Sequence, residues 1–155
     1  MKEAVREKLS YLKQSLFHPF DAFYEIRLRG RGSVLLASLL LALFGILQCV
    51  SYQYTGFVIN GNEVGAMNSL SIFLTWVLGL LLFIVSNWSV TTLLNGKGGM
   101  GDILKVVSYS LVPFICALLF QVVVSNFIIL EEAMIVYVVT GIGTVWTLFM
   151  LLAGL

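Results

Sequence analysis

Four long stretches of this chain contain no charged residue. They are residues 32–62, 64–96, 106–130 and 133–155. A helix needs about 20 apolar residues to cross the hydrocarbon core of a bilayer, so each stretch can hold one membrane-spanning helix. The pattern predicts an all-α fold, a polytopic transmembrane helix bundle. Its four spans are expected near residues 33–52, 70–92, 106–129 and 134–155.

The segment before the first span has an amphipathic pattern. Its apolar residues recur at helical spacing, at Val5, Leu9, Leu12 and Leu16. Basic residues lie among them, so the segment is predicted to form an amphipathic helix. Pro19 ends this helix near Phe17, because a residue before proline avoids the α region, and a second short amphipathic turn begins at Phe20. The apolar face suits the headgroup layer of an anionic membrane, and packing on the protein's own loops is the alternative.

The charges predict the orientation of the chain in the membrane. Only 11% of the 155 residues are charged, against about a quarter in soluble proteins. Of the nine Lys and Arg residues, seven precede the first span, and Lys97 and Lys105 lie between the second and third spans. The positive-inside rule therefore places the N-terminus and the 95–105 turn in the cytoplasm. The chain divides into a cytoplasmic amphipathic segment, 1–32, and a transmembrane domain, 33–155.

Three glycines in the 95–105 turn match the spacing of a dinucleotide-binding loop, G-x-G-x-x-G. That site needs a strand before the glycines and an acidic residue about 20 positions after them. Here a membrane helix precedes Gly96, and the position about 20 residues beyond Gly101 falls at Gln121, inside the third predicted span. We interpret the stretch as a short, flexible, cationic turn and expect no cofactor.

The sequence contains no constellation typical of catalysis or metal binding. No Asp, Glu, Lys, Arg or His falls within the predicted spans, and the single histidine, His18, stands directly before Pro19. A nucleophile needs a neighbouring base, and a metalloprotease needs paired ligands. We therefore predict a non-enzymatic protein with no catalytic, cofactor-binding or metal-binding residues. Nucleic acid is not an expected partner.

Uncharged polar residues within the predicted spans are the candidates for a polar interior: Gln48, Gln121 and Ser125. Such residues commonly form hydrogen bonds between helices. The alternative is a solute path through Asn87, Gln121 and Ser125.

Small residues predict close helix contacts. Ser71, Thr75 and Gly79 form a stripe on the second span that lets another helix approach. Pro113 removes a backbone hydrogen bond in the third span, so a kink is expected there. Gly141 and Gly143 make the fourth span locally thin.

The stretch NWSVTTLLNGKGGMGDILKVVSYSLVPF, residues 87–114, resembles the Yip domain family, membrane proteins named for their interaction with Ypt/Rab GTPases. The residues that carry the resemblance are Asn87, Trp88, Gly96, Lys97, Gly98, Tyr109 and Pro113. The run HPFDAFYEI, residues 18–26, resembles the segment before the first span in bacterial members. The resemblance therefore implies a bacterial-type member in the cell membrane. The family usually has five membrane helices, so either the chain continues past Leu155 into a fifth helix or it is an unusual member.

The resemblance and the basic cluster together favour a scaffold or accessory protein that organises membrane partners or lipid. Arg27, Arg29 and Arg31 are the candidate contacts for lipid or a partner, although the same cations also determine topology. Eukaryotic relatives act in membrane traffic, so a small GTPase is implied as a partner by family analogy alone. Membrane lipids, a membrane-protein complex or a homo-oligomer are the other expected partners. The alternative function is a small permease or an accessory subunit of a transporter.

Overall fold

The computed structural model describes residues 10–16, 18–30, 32–62, 65, 68–94 and 98–155, with only the backbone for residues 27–29. The described elements are all helical. They are α1 (Pro19–Arg29), α2 (Val34–Tyr54), α3 (Ser69–Leu93), α4 (Met100–Ser110), α5 (Val112–Val124), a 3₁₀ turn (Leu130–Glu132) and α6 (Ala133–Gly154). Residues 10–16 are helical as well.

Four helical segments are long and apolar enough to cross a membrane. They are Val34–Tyr54, Ser69–Leu93, Met100–Val124 and Leu130–Gly154. The predicted all-α class with four spans is thereby confirmed. The N-terminal amphipathic helix is not confirmed, because most of it falls on residues 1–9 and 17, outside the described part of the chain.

Polar side chains cap the helices where the chain enters them. The Ser33 hydroxyl accepts a hydrogen bond from the Leu36 N–H at the start of α2, and the Asn68 carboxamide accepts one from Ser71 at the start of α3. The Asp102 carboxylate accepts from the Gly99 N–H at 3.3 Å. These groups satisfy helix donors that have no partner within the helix.

The helix that contains the third predicted span has bounds of its own. It begins at Met100 rather than near residue 106, and α5 ends at Val124 rather than near 129. The prediction placed the boundary after the last charge, but here Lys105 lies within the helix and pairs with Asp102 one turn earlier, at 2.9 Å. A charge that is paired in this way costs less at the edge of an apolar bundle than an unpaired one.

A break at Leu111 divides this third span into α4 and α5. Proline has no N–H to donate to the carbonyl four residues earlier, which leaves the Tyr109 carbonyl without its usual helix partner. Leu111 instead donates to the Ser108 carbonyl at 3.3 Å, and Ile115 resumes the α pattern by donating to the Leu111 carbonyl at 2.9 Å. The expected interruption by Pro113 is therefore present.

Glycines set two of the closest helix contacts. A Cβ added at Gly143 of α6 would lie 2.6 Å from the Ala117 Cβ and 3.2 Å from the Pro113 carbonyl oxygen. A Cβ added at Gly45 of α2 would lie 2.7 Å from the Val77 side chain of α3. Both distances are shorter than atoms tolerate, so α5 and α6, and likewise α2 and α3, approach as closely as they do because these residues are glycine.

The stripe predicted on the second span does not contact another helix of the described chain. Ser71, Thr75 and Gly79 are all exposed, and a Cβ added at Gly79 would meet no atom within 4 Å. The contact between α3 and α4 instead involves Ile84, which is fully buried in a cluster with Ile103 and Val107. The buried side of α3 consists of large apolar residues, and small residues by themselves do not determine which side of a helix packs.

The segment after Pro19 is longer than the short turn that we predicted. It forms the 11-residue helix α1, with Pro19 in the first turn, where the missing N–H costs nothing. The helix ends at Gly30, whose φ of 61° is left-handed. The Phe23 and Ile26 side chains of α1 are buried in one cluster with Val106, Tyr109 and Met150, so α1 lies against the bundle.

Candidate functional site

Two regions at opposite ends of the bundle contain most of the polar residues that are candidates for function. We call the end that contains residues 30–34, 98–102 and 154–155 the amino end. We call the end that contains residues 55–62 and 125–132 the opposite end. The amino end is closed by packed side chains, whereas the opposite end contains a polar cavity.

Tyr109 is the centre of the amino end. Its side chain is 1% exposed, and its hydroxyl accepts a hydrogen bond from the Ser33 N–H at 3.0 Å, across 76 positions of sequence. Gly32 lies against the same ring, with a φ of 86°, and a Cβ there would be 3.2 Å from Tyr109 Cε2. Tyr109 therefore holds the entry into α2 against α4, and only glycine fits beside it without strain.

A buried ion pair lies beside this tyrosine. The Lys105 ammonium donates to Asp102 at 2.9 Å, with only 8% of the lysine side chain exposed and 31% of the aspartate. The Lys105 stem would also lie 3.3 Å from a Cβ at Gly32. The pair neutralises a charge that would otherwise be costly at the edge of an apolar bundle.

The chain before α1 is attached to the same end by three contacts. The Tyr11 hydroxyl donates to the Ala22 carbonyl at 2.5 Å, and the Tyr11 ring meets Tyr109 edge to face, with centroids 6.1 Å apart. The Trp146 indole N–H donates to the Leu16 carbonyl at 3.3 Å. These contacts join the segment around residues 10–16 to α4 and α6.

Phe20 and Tyr24 lie on the outer side of α1. They are 62% and 66% exposed, although Phe20 also meets the Phe149 ring edge to face at 5.8 Å. One side of α1 is thus buried in the bundle while the other presents aromatic rings. Packing on the protein, one of the two alternatives considered for the segment, is present for α1. Contact with the headgroup layer stays a prediction.

A small cavity of about 50 Å³ lies between α1, α3, α4 and the end of α6. Asn87, Thr91 and Asp102 supply its polar lining, and Gly98 and Gly154 are also at its wall. Its volume is roughly that of one or two water molecules in the liquid. It is therefore a gap between packed helices rather than a site for an organic ligand.

The opposite end contains a larger cavity, of about 210 Å³, between α2, α3 and α5. The residues that line it include two carboxamides on facing helices, Gln48 and Gln121, and the loop amide Asn60. Hydroxyl and aromatic side chains complete the lining: Ser51, Tyr52, Thr55 and Trp76. None of the described residues that line the cavity is charged. We call it the polar cavity.

Backbone and side-chain hydrogen bonds hold the rim of the polar cavity. The Asn60 amide donates to the Tyr52 carbonyl at 3.1 Å and to the Thr55 carbonyl at 3.3 Å, so it caps the end of α2. The Thr55 hydroxyl donates to the Ser51 carbonyl at 2.6 Å. The Trp76 ring meets Phe44 edge to face, with centroids 5.8 Å apart. The lining is therefore ordered by contacts of its own.

Gln48 and Gln121 differ from the rest of the rim. Both are half-buried, and neither side chain forms a hydrogen bond with any residue in the part of the chain that the structure describes. An amide at membrane depth that lacks a partner is unfavourable, because hydrocarbon offers no replacement for water. These two groups are therefore available to whatever occupies the polar cavity.

Ser125, the third candidate for a polar interior, has a structural contact instead. It is 1% exposed, and its hydroxyl accepts a hydrogen bond from the Gly56 N–H at 2.8 Å. A Cβ added at Gly56 would collide with the Ser125 carbonyl oxygen. The structure thus brings Gln48 and Gln121 together, places Ser125 outside the lining, and puts Asn87 in the small cavity at the amino end.

The remaining predicted residues are distributed over the bundle. Trp88 is 37% exposed on α3, and the Pro113 carbonyl faces Gly143. The backbones of Arg27 and Arg29 belong to α1, whereas their side chains, and Arg31, Gly96 and Lys97 as a whole, lie outside the described residues. Among the described residues, no group of three or more His, Cys, Asp or Glu side chains is placed to hold a metal ion.

Sequence reasoning missed several residues that build these two regions. Gly56 and Asn60 look like ordinary loop residues, and Ser33 acts on Tyr109 through its backbone, so no side-chain signal marks it. One signal was available: Ser51 and Thr55 stand four positions apart, next to Gln48 at the end of a predicted span.

Comparison with known proteins gives one match. The family model described as the Yip1 domain matches residues 13–155. Neither a curated protein nor a solved structure shows significant similarity to the chain.

Proposed function

The chain belongs to the Yip1 domain family, as its resemblance indicated, and from that premise we propose that it is a membrane scaffold or accessory protein that works through its amino end. The family match and the four apolar helices make it an integral, multi-pass membrane protein. The proposal concerns the surface that would contact lipid or a partner. In this proposal the amino end faces the cytoplasm, as the distribution of cations predicts.

The observation that carries the proposal is the attachment of α1. Its inner side, with Ala22, Phe23 and Ile26, is 4% exposed or less, while Phe20 and Tyr24 point away from the core. A helix anchored in this way holds its outer aromatic rings and the backbone of positions 27 and 29 at a fixed place on the bundle. Aromatic and basic residues together suit the interface of an anionic membrane or an acidic partner.

The arrangement of polar residues favours this proposal over transport. A solute path would need Asn87, Gln121 and Ser125 along one opening. In the described chain Asn87 and Gln121 line separate cavities at opposite ends, and the Ser125 hydroxyl is bonded to the backbone. The family is non-enzymatic in general, and the proposal assigns no reaction to the chain. A small GTPase is one candidate partner, by family analogy alone.

The test is a crosslinked recovery of partners from native membranes. The wild type is compared with a variant in which Arg27, Arg29 and Arg31 are all Gln, and with a matched variant in which all three are Lys. Crosslinking precedes detergent, and the topology of each variant is verified by cysteine accessibility. We expect one membrane-protein complex to be recovered with the wild type and the Lys variant, and to be lost with the Gln variant.

Two outcomes would contradict the proposal. Equal recovery of every protein by the Gln variant of verified topology would show that the basic positions only set orientation. Recovery of lipid without any protein partner would refute the scaffold role.

A further inference from the structure

The polar cavity has a lining whose chemistry is specific enough to indicate a ligand. Its free hydrogen-bonding groups include the carboxamides of Gln48 and Gln121, on facing helices. A carboxamide offers two donors and one acceptor oxygen, and so it matches a hydroxyl group, which both donates and accepts. A phosphate or carboxylate would instead favour a cationic lining, and none of the described lining residues is cationic.

We propose that the polar cavity binds one uncharged polyhydroxyl ring, the sugar headgroup of a glycolipid or a free sugar of the same size. The amides of Gln48 and Gln121 would hydrogen-bond its hydroxyl groups. This site lies at the opposite end from the surface of the proposed scaffold function and does not depend on it.

Trp76 supplies the apolar half of such a site. The C–H face of a sugar ring packs well on an aromatic ring, while its hydroxyl groups point outward to polar partners. Trp76 is 44% exposed and lines the cavity, and its edge-to-face contact with Phe44 holds the indole in place. Tyr52 adds a second aromatic residue to the lining. Aromatic side chains of this kind combine a large apolar surface with a polar edge.

The rim is preorganised for a ligand. The Asn60 amide is bonded to two backbone carbonyls at the end of α2, and the Thr55 hydroxyl to a third. These groups keep their positions without a ligand, so binding does not require the rim to become ordered. The protein would lose little conformational freedom when a ligand binds, which favours affinity.

The size and depth of the cavity select the class of ligand. Its volume of about 210 Å³ is below the roughly 300 Å³ at which sites for drug-sized molecules begin. One ring with its hydroxyl groups fits, whereas a whole lipid does not. The cavity reaches from Gln48 and Gln121 within the spans to Asn60 and Asn62 in the loop, which is the depth at which a headgroup lies.

Binding can be measured on the full chain, purified in an amine oxide detergent that contains no sugar. The probes are monoglucosyl diacylglycerol, methyl glucoside and phosphatidylglycerol. Native mass spectrometry counts bound lipid, and the shift in melting temperature reports methyl glucoside. The variants are Gln121→Leu and Gln48→Leu, with Gln53→Leu as the matched control, because Gln53 is exposed on the same helix as Gln48 and outside the lining.

We expect saturable binding of the glucosyl lipid, weakened about tenfold by Gln121→Leu or Gln48→Leu, since each removes hydrogen bonds to the ligand. Gln53→Leu should bind like the wild type. If methyl glucoside competes with the glucosyl lipid, a free sugar is sufficient for binding. If it does not compete, the ligand is the lipid headgroup. If the Leu variants fail to fold, Trp76→Phe keeps an aromatic ring but removes part of the stacking surface, and it should still weaken binding.

The proposal is overturned if the folded wild type binds neither sugar probe. It is also overturned if phosphatidylglycerol binds in preference to the glucosyl lipid, or if folded Gln121→Leu, Gln48→Leu and Trp76→Phe proteins all bind the glucosyl lipid as the wild type does.

Discussion

The amino end and the opposite end of the bundle are closed by different kinds of contact. At the amino end, side chains fill the space between the helices. They are the Tyr109 ring, the Lys105–Asp102 pair and the buried side of α1. At the opposite end, the Gly56 N–H donates to the Ser125 hydroxyl, a Cβ at Gly56 would meet the Ser125 carbonyl oxygen, and a cavity of about 210 Å³ is left between the helices.

This difference indicates which end can bind a ligand and which end can only present a surface. At a closed end only the outer surface can contact a partner, and the outer side of α1 is such a surface. An end held by a close backbone approach and by hydrogen bonds at its rim can be rigid without being filled, because its stability does not require side chains to occupy the centre. The following predictions test this contrast, from the largest expected effect to the smallest.

Gly56→Val should be the most damaging change at the opposite end. The added Cβ would collide with the Ser125 carbonyl oxygen, and a backbone atom cannot move aside as a side chain does. We expect a loss of about 3 kcal/mol or more in the free energy of unfolding, or failure to fold. Thermal unfolding monitored by size-exclusion chromatography measures it.

Gly61→Val is the matched control for that change, because it lies in the same loop and a Cβ there meets no atom within 4 Å. It should unfold near the wild-type temperature. If Gly56→Val does the same, the backbone contact at the opposite end does not hold the bundle together.

Gly143→Ala tests the pair of helices, α5 and α6, that both ends share. The new methyl group would lie 2.6 Å from the Ala117 Cβ, so the helices must separate. We expect a loss of about 1–3 kcal/mol, the usual cost of overpacking. Gly141→Ala on the same helix meets open space and should be neutral or slightly stabilising. Similar melting temperatures for the two variants would contradict the close contact of α5 and α6 at Gly143.

Asp102→Asn tests the ion pair at the amino end. It leaves the Lys105 ammonium buried without its anion, so we expect a loss of about 1–2 kcal/mol. Lys105→Met removes the buried charge itself and should cost less. The double variant should cost less than the sum of the two, because each single change already breaks the pair. Additive losses in chemical denaturation would show that the two side chains are not coupled.

Tyr109→Phe should have the smallest effect, about 1 kcal/mol, because it removes only the hydrogen bonds of the hydroxyl with the Ser33 backbone and keeps the ring. The loss should be local, so hydrogen exchange should accelerate at the Ser33 amide and in α1. Tyr24→Phe is the control, since Tyr24 is exposed on α1. Unchanged exchange at Ser33 in Tyr109→Phe would show that this hydroxyl does not hold the entry into α2.

The spans and the family could be predicted from local information. A stretch free of charge and about 20 residues long is sufficient to predict a membrane helix, because the cost of placing a charge in hydrocarbon depends only on the residue itself. The order of residues between Asn87 and Pro113 was likewise sufficient to identify the family. The start of the third helix at Met100 could not be predicted in this way, since the pairing of Lys105 with Asp102 is not visible in a hydropathy pattern.

The buried sides of the helices and the polar cavity depend on contacts between distant residues. The stripe of Ser71, Thr75 and Gly79 has the pattern of a packed surface, yet it is exposed, whereas Ile84 packs. Gln48 and Gln121 face one cavity because α2 and α5 are neighbours, and Ser125 is excluded from it by its bond to Gly56. Hydropathy is a property of each residue and is known from sequence, whereas which polar groups meet is a property of pairs, and only the packed bundle decides it.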